Sequence, residues 1–466
     1  MPPDAGCANS VSALRDVPVK GGGFCFGGEY ETQAGLHKSP QTDLRRERAR
    51  QRERSEAYER ELKRRKKEAH RKKHAAGQKS EKLRLDNEGL EKSFFYAANP
   101  ADTAFILLVL LLTGVGLIML FSASYTNAYY YQDGNGMYFV VRQGLFAVAG
   151  VAAMIAVSYV NYQKLHYYAI PVLVISILLL GLVLVPGIGV TINKATRWLP
   201  LFSRKLTFQP SEIVKIGVIM SFSSIATIFG PRIKEFRRGM CVFLGLIGLI
   251  AGLLYFEPHL SATIIIAVTG MAIVFVAGAR IWHFLALVVG AGGLMGVYIL
   301  FSGHVSTRLK VWLDPFIDPL DKGYQAVQSF LAIGSGGFWG VGLGRSRQKQ
   351  LYLPMSENDF IFSVICEELG FVGAVLIIVM FAALIIRGYW IAMHARDKFG
   401  CLLAVGVTTQ IAVQTVVNLC VVTGLMPVTG AALPFFSYGG TSLMIQLAEV
   451  GILLSVSRQI PAQVKG

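Results

Sequence analysis

From Thr103 onward the chain repeats apolar runs of near-constant length, at residues 103–123, 138–160, 167–187, 211–229, 239–256, 260–278, 282–302, 359–387, 401–424 and 438–457. Each is close to the roughly 20 residues that carry a helix across a bilayer. In lipid the backbone finds no water, so a spanning segment must satisfy its own N–H and C=O groups, and a helix does this within one segment. The pattern predicts an all-α, polytopic membrane domain of about ten helices over residues 98–460. Charge agrees: Asp, Glu, Lys and Arg make up 16% of the 466 residues, against about 25% in an ordinary soluble domain. A single soluble globule and a fibrous repeat are excluded. Six cysteines without a C-x-x-C pair exclude a disulfide scaffold and disfavour a zinc site. No internal sequence repeat is visible, which disfavours the transporters built from repeats.

The charges are unevenly placed. Residues 1–97 hold 22 of the 45 Lys and Arg and 15 of the 29 Asp and Glu. This stretch reads as a basic, largely disordered extension, with a charged helix near 44–73. Glu56–Arg60, Glu59–Lys63, Glu61–Arg65 and Glu68–Lys72 are four apart with the acid first, the favourable order. With Tyr58 as the one aromatic residue of that helix, stacking on nucleic acid is disfavoured and attraction to anionic lipids is preferred. The opening residues lack a basic stretch followed by an apolar one, so no cleavable signal is expected and the first span serves for insertion. Basic residues favour the cytoplasm. The extension is therefore placed there and, with ten spans, so is the C-terminus.

Two outer loops run against that bias. Residues 187–209 carry Lys194, Arg197, Arg204 and Lys205; residues 303–358, between the seventh and eighth spans, carry Arg308, Lys310, Lys322, Arg345, Arg347 and Lys349. As a cluster they suit an anionic group, although any one could pair with a headgroup or with Asp314, Asp318, Asp321 or Glu357. The longer loop contains Asp314-Pro and Asp318-Pro steps, which favour turns. An acid held there near apolar walls could act as a general base; taken alone, the residues favour a turn acid that caps a short helix. A glycine-rich stretch, 334–344, lies beside Arg345, Arg347 and Lys349 and could bring backbone N–H groups to a phosphate, without being a nucleotide loop. At the start of the fourth span Glu212 and Lys215, three apart, share a helix face, where they could pair or line a polar cavity. Glu257, His259, Glu367, Glu368 and Glu449, near or within spans, read as packing or pairing groups; a lone His259 is weak grounds for a metal site.

These segments together resemble the SEDS (shape, elongation, division and sporulation) family over about residues 100–460. The matching pieces are R197-W, F208-Q-P-S-E-I-V-K215, D318-P, G323-Y-Q, S346-R-Q-K349, D359-F-I-F, E367-E-L-G370, T423-G-L-M-P-V-T-G430 and L433-P-F-F-S-Y-G-G-T-S442. S-R-Q-K and Y-G-G-T-S are more like the FtsW/SpoVE branch than the RodA branch. The chain departs from the family at E257-P-H-L-S-A-T263, where Q-P-D-x-G-T is common, at L353-P-M-S-E-N-D-F360, where L-P-E-x-x-T-D-F is common, and before Arg197. The resemblance implies a peptidoglycan glycosyltransferase that polymerises lipid II at the outer membrane surface, working with a class B penicillin-binding protein and, in the division branch, with other divisome proteins at the septum. It implies Asp318 as general base, taking the proton from the acceptor hydroxyl that displaces undecaprenyl diphosphate with inversion. Arg197, Arg347 and Lys349 are the candidates for stabilising the departing diphosphate, and Glu212 and Lys215 for lining the cavity beneath Asp318. A divalent cation could share the first role, although no ligand cluster marks a metal site. A flippase for the same precursor, an elongation or sporulation polymerase, and a non-catalytic scaffold remain as alternatives.

Overall fold

The computed structural model describes residues 99–192, 195–201, 203–257, 259–287, 289 and 310–460, together with Glu61 and Arg64. The chain divides into two compact units, Met1–Arg84 and Leu85–Gly466. In the first, Glu61 and Arg64 are helical and exposed, and the rest of the expected charged helix lies outside the described residues.

The second unit is helical with one small sheet. Its helices are α1 (Thr103–Tyr131), α2 (Tyr138–Tyr159), α3 (Tyr162–Val183), α4 (Pro210–Phe229), α5 (Cys241–Phe256), α6 (Leu260–Val276), α7 (Tyr324–Gly336), α8 (Ile361–Met393), α9 (Lys398–Val422) and α10 (Gly440–Arg458). Seven are long and apolar enough to cross a membrane, and α5 and α6 are shorter apolar helices. Nine of the ten expected spans thus correspond to helices; the tenth, 282–302, falls mostly outside the described residues. Asp102, Asn161 and Asp397 start α1, α3 and α9 by accepting N–H bonds from Phe105, Gln163 and Gly400, and Pro210 opens α4.

Two stretches read as loops contain regular structure. Residues 190–208, read as a loop, form a three-stranded antiparallel sheet of β1 (Val190–Ile192), β2 (Ala195–Leu201) and β3 (Ser203–Phe208) in the order β1-β2-β3. The long loop before α8 is also partly regular, containing a short 3-10 turn at Pro315–Ile317 and α7.

At the end of the bundle away from the sheet, six helix termini are tied by polar contacts. Arg387 grips Asp102 through Nη2 at 2.7 Å and Nε at 3.0 Å. Tyr162 donates to Asp397 at 2.8 Å, Lys398 to the Ala277 carbonyl at 3.1 Å and Gln459 to Asn161 at 3.1 Å. These join the starts of α1, α3 and α9 to the ends of α6, α8 and α10, as alternating spans require. Along the shared length of α2 and α10, Gly150 lies against Leu447 and Gly451 against the Met154 carbonyl, so close that a Cβ at either would sit 2.6 Å from its neighbour. Small residues permit this approach where lipid offers no hydrophobic drive to association.

α8 is broken at Gly370, whose φ of 65° and ψ of −167° are reserved for glycine. Gly340 lies in backbone contact with it. The carbonyls freed by the break are taken by the glycine-rich loop: Val341 N–H donates to Glu367 O and Gly342 N–H to Glu368 O, both at 3.0 Å. Gly370→Ala should cost about 3 kcal/mol, read as a lowered melting temperature in detergent. A variant as stable as the parent would show that the break relaxes without penalty.

Candidate functional site

At the sheet end a cavity of about 700 Å³ opens between α2, β2, α4, α6, the loop before α8 and residues 430–446. Arg142, Arg197 and Lys215 bring positive charge to it, Glu212 and Asp359 are its acids, and His259, Gln209, Gln414 and Ser442 are among its neutral polar groups. The sheet supplies Arg197 from β2. The first turn of α4 supplies Glu212 and Lys215 on one face, as their spacing predicts. Lys215 Nζ lies 2.9 Å from Glu212 Oε2, and the same oxygen accepts from Ser442 at 2.8 Å. Lys215 also reaches Gln414 at 3.4 Å. The pair thus both pairs and lines the cavity.

Arg197 Nε donates to the Glu257 carbonyl at 3.1 Å. Burial lowers its guanidinium pKa, and nearby Asp359 and Glu257 oppose that fall. Burial likewise pushes the Asp359 carboxyl up to about 6, with Arg197 pulling it down and Glu357 pushing it further up. Glu257 is buried, and neither carboxylate oxygen has a hydrogen-bond partner among the described residues. Burial raises it to about 8, against the pull of Arg197.

His259 caps α6: its Nδ1 accepts from Ala262 N–H at 3.1 Å, and its Nε2 lies 2.5 Å from the Gln209 amide. An accepting Nδ1 leaves the proton on Nε2. Burial, then the charges of Arg197 and Lys215, hold the imidazole down at about 3, so it is neutral at any physiological pH. Among the described residues no group of three or more His, Cys, Asp or Glu is placed to hold a metal ion.

The other candidates lie apart from this lining. Asp318 follows the 3-10 turn, half-buried, and its carboxylate accepts from Lys322 N–H at 3.5 Å. It is not among the residues lining the cavity. Arg347 is exposed on the loop before α8, and its backbone N–H bonds Glu367 at 2.8 Å. Lys349 is buried: Nζ meets Glu368 at 2.7 Å and Ser122 Oγ at 2.9 Å. Beside it Ser346 Oγ donates to Glu367 at 2.5 Å. Arg197, Arg347 and Lys349 therefore do not converge on one point. The glycine-rich stretch is no phosphate cradle either, because Gly340, Val341 and Gly342 spend their N–H groups on Gly336, Glu367 and Glu368. Of the acids read as packing groups, Glu367 and Glu368 hold this loop, and Glu449 pairs with Gln410 at 2.5 Å. The cavity residues missed by sequence reading are Arg142 and Asp359. Arg142 sits in an apolar span facing Tyr138, whose hydroxyl it meets at 2.6 Å; a lone Arg inside a span was the available signal.

A helical, multi-span membrane protein with a half-buried, mixed-charge cavity at one end is thereby defined. A family model described as cell cycle protein, covering FtsW, RodA and SpoVE, matches residues 102–461. The chain belongs to this family. It is 41% identical over 358 residues to stage V sporulation protein E of Bacillus subtilis, covering 77% of this chain and 97% of that one. It is 41% identical over 360 residues to a probable peptidoglycan glycosyltransferase FtsW of Trichlorobacter lovleyi, covering 76% and 93%. Among solved structures it resembles a chain of a peptidoglycan synthase complex that coordinates polymerization and crosslinking, with a TM-score of 0.65, 28% identity and coverage of 78% and 99%. It also resembles RodA of Thermus thermophilus, with a TM-score of 0.56, 27% identity and coverage of 77% and 97%.

Two outcomes follow from these environments. The raised pKa of Glu257 means that the folded chain keeps a proton which the unfolded chain releases near 4.5. Stability contributed by the neutral acid is full below that pH and is lost as pH rises toward about 8. Over this window the melting temperature of the parent should fall more steeply than that of Glu257→Gln; equal slopes would mean that Glu257 is ionised in the fold. Lys349→Met leaves Glu368 buried without its cation and should destabilise the chain by about 3 kcal/mol before any substrate is added. An unchanged melting temperature would remove the structural role.

Proposed function

We propose that this chain is a peptidoglycan glycosyltransferase that polymerises lipid II into glycan strands, with the sheet end at the outer face of the bacterial cytoplasmic membrane. The observation that carries the proposal is the cavity, where Arg197 and Lys215 meet Glu212, Asp359 and neutral hydrogen-bonding groups at that end. Such a site suits a substrate that is both a sugar and an anion. The names carried by the relatives support the same reading.

In this reading Asp318 takes the proton from the 4-hydroxyl of the acceptor GlcNAc. The oxygen attacks C1 of the donor MurNAc from the face opposite the leaving group, so the anomeric configuration inverts. The C1–O bond to undecaprenyl diphosphate breaks, and the electron pair leaves with the diphosphate. Arg197, half-buried and held by the Glu257 carbonyl, meets the developing charge in a setting drier than bulk water. Arg347, exposed on the loop before α8, stands outside the cavity lining and does not meet that charge directly. Glu212 and Lys215 form the polar wall below. Lys349 acts by fixing the loop that carries Arg347.

The partner is a class B penicillin-binding protein, in a divisome at the septum. Both termini lie in the cytoplasm, where the basic extension of residues 1–97 meets anionic lipids and binds no nucleic acid.

The test is polymer formation from purified lipid II by the full chain with its class B partner. Asp318→Ala should make no polymer while remaining folded. Arg197→Ala should lose about a hundredfold in rate, the usual cost of one such charge-stabilising donor. Polymer from Asp318→Ala would discard Asp318 as base. No polymer from the parent in an intact complex would favour a flippase.

A further inference from the structure

α1 is longer than a membrane needs. Its 29 residues rise about 44 Å at 1.5 Å each, against about 30 Å of hydrocarbon. With Asp102 tied at the opposite end, roughly the last nine residues stand clear of the hydrocarbon. A ladder of rings leads into that extension from Phe121, within one turn of its start. Phe121 and Tyr125 lie 5.8 Å apart, and Tyr125 and Tyr129 lie nearly parallel, 14° apart in plane and 6.5 Å between centroids. Tyr130 adds a perpendicular ring 5.9 Å from Tyr129. Tyr129 and Tyr130 are 52% and 68% exposed.

These rings form one wall of a second cavity, about 590 Å³, whose other wall is the loop before α8. Its polar groups include the Thr126 hydroxyl and the Gln350 amide, 3.3 Å apart. Among the described residues the one cation that lines it, Lys349, is already paired with Glu368. The groove is thus aromatic, hydrogen-bonding and without free charge.

That chemistry selects among possible occupants. A diphosphate or an anionic headgroup would meet no available cation here. A plain hydrocarbon chain has no use for tyrosines placed above the hydrocarbon. A β-1,4-linked pyranose chain matches both features, because its C–H faces stack on rings and its hydroxyls pair with an amide and a hydroxyl. Position agrees as well. The last turn of α1 turns Tyr129 and Tyr130 to this groove and Gln132 to the main cavity. The loop before α8 likewise gives Lys349 and Gln350 to the groove and Asn358 and Asp359 to the main cavity. One helix end and one loop separate the two.

We infer that the groove between the aromatic end of α1 and the loop before α8 binds the glycan strand as it leaves the main cavity. The inference rests on the polymerase reading above, and the part of the strand that the groove holds is its uncharged backbone of β-1,4-linked amino sugars, with the peptide stems pointing away. Holding the product beside the site keeps it from diffusing away between additions, so the groove lengthens the strands.

The test has two arms. In the first, a soluble β-1,4-linked GlcNAc hexamer is added to the full chain in detergent, and saturation transfer to the sugar is measured by NMR. The parent should bind, Tyr129→Ala/Tyr130→Ala should bind about tenfold more weakly, and Tyr129→Phe/Tyr130→Phe should stay near the parent. In the second, strand length is measured with lipid II and the class B partner. The alanine variant should give strands several-fold shorter, and the phenylalanine variant should not. No hexamer binding by the parent, equal binding by the alanine variant, or unchanged strand length would each overturn the inference. So would a membrane lipid that copurifies with the parent and is lost from the alanine variant, if no sugar binds. Because the first arm needs no catalysis, a parent that makes no polymer sinks the polymerase reading separately.

Discussion

Two adjacent carboxylates at the break in α8 hold the functional end of the molecule together. Glu367 and Glu368 are buried where an apolar helix is interrupted, and a buried acid is costly unless paired. The loop before α8 satisfies them through Ser346, Lys349 and the Arg347 N–H, while α1 contributes Ser122. Their carbonyls are satisfied by the N–H groups of Val341 and Gly342. The glycines of that loop are needed because its backbone lies directly on the backbone of α8. Arg347, Gln350 and the approach to Asp359 all depend on a loop fixed in this way.

Electrostatics in the cavity follow from water exclusion as much as from charge count. Burial disfavours the charged forms of Arg197, Asp359 and Glu257, and mutual attraction restores part of the loss. Arg197 keeps its charge beside Asp359, whereas Glu257, whose two oxygens have no hydrogen-bond partner among the described residues, tends to the neutral form. His259 is driven the same way and stays a neutral imidazole that caps α6 through Nδ1. Two positions where the sequence departs from the family's common pattern, Glu257 and His259, therefore differ in charge less than their formulas imply.

The spans were legible because apolar run length answers to one physical quantity, the thickness of the hydrocarbon. Their ends were less so: α1 and α8 run on past the apolar run, to Tyr131 and Met393, through residues that are polar or aromatic but still helix-compatible. The sheet at 190–208 escaped because its strands are short and proline-interrupted, and basic residues drew attention to charge instead of alternation. Glu212 and Lys215 were readable from spacing on one helix. Arg197, Asp359 and Arg142 come from three separate elements, and only the packed bundle brings them to one cavity. Lys349 looked like a ligand for an anion because its partner, Glu368, lies 19 residues on, across a turn that composition does not reveal.

The clasp at the opposite end of the bundle has a mechanical meaning. Arg387 with Asp102, Tyr162 with Asp397, Lys398 with Ala277 and Gln459 with Asn161 bind six helix termini into one fixed base, while the sheet end holds loops and cavities. Helices clasped end to end at one side and joined mainly through loops at the other can act as levers. Over about 30 Å a tilt of about 2° displaces the far end by about 1 Å. Small rotations that leave the base undisturbed are therefore enough to widen or narrow the cavity mouth, and a bulky lipid-linked sugar can be admitted by a pivot instead of by unfolding.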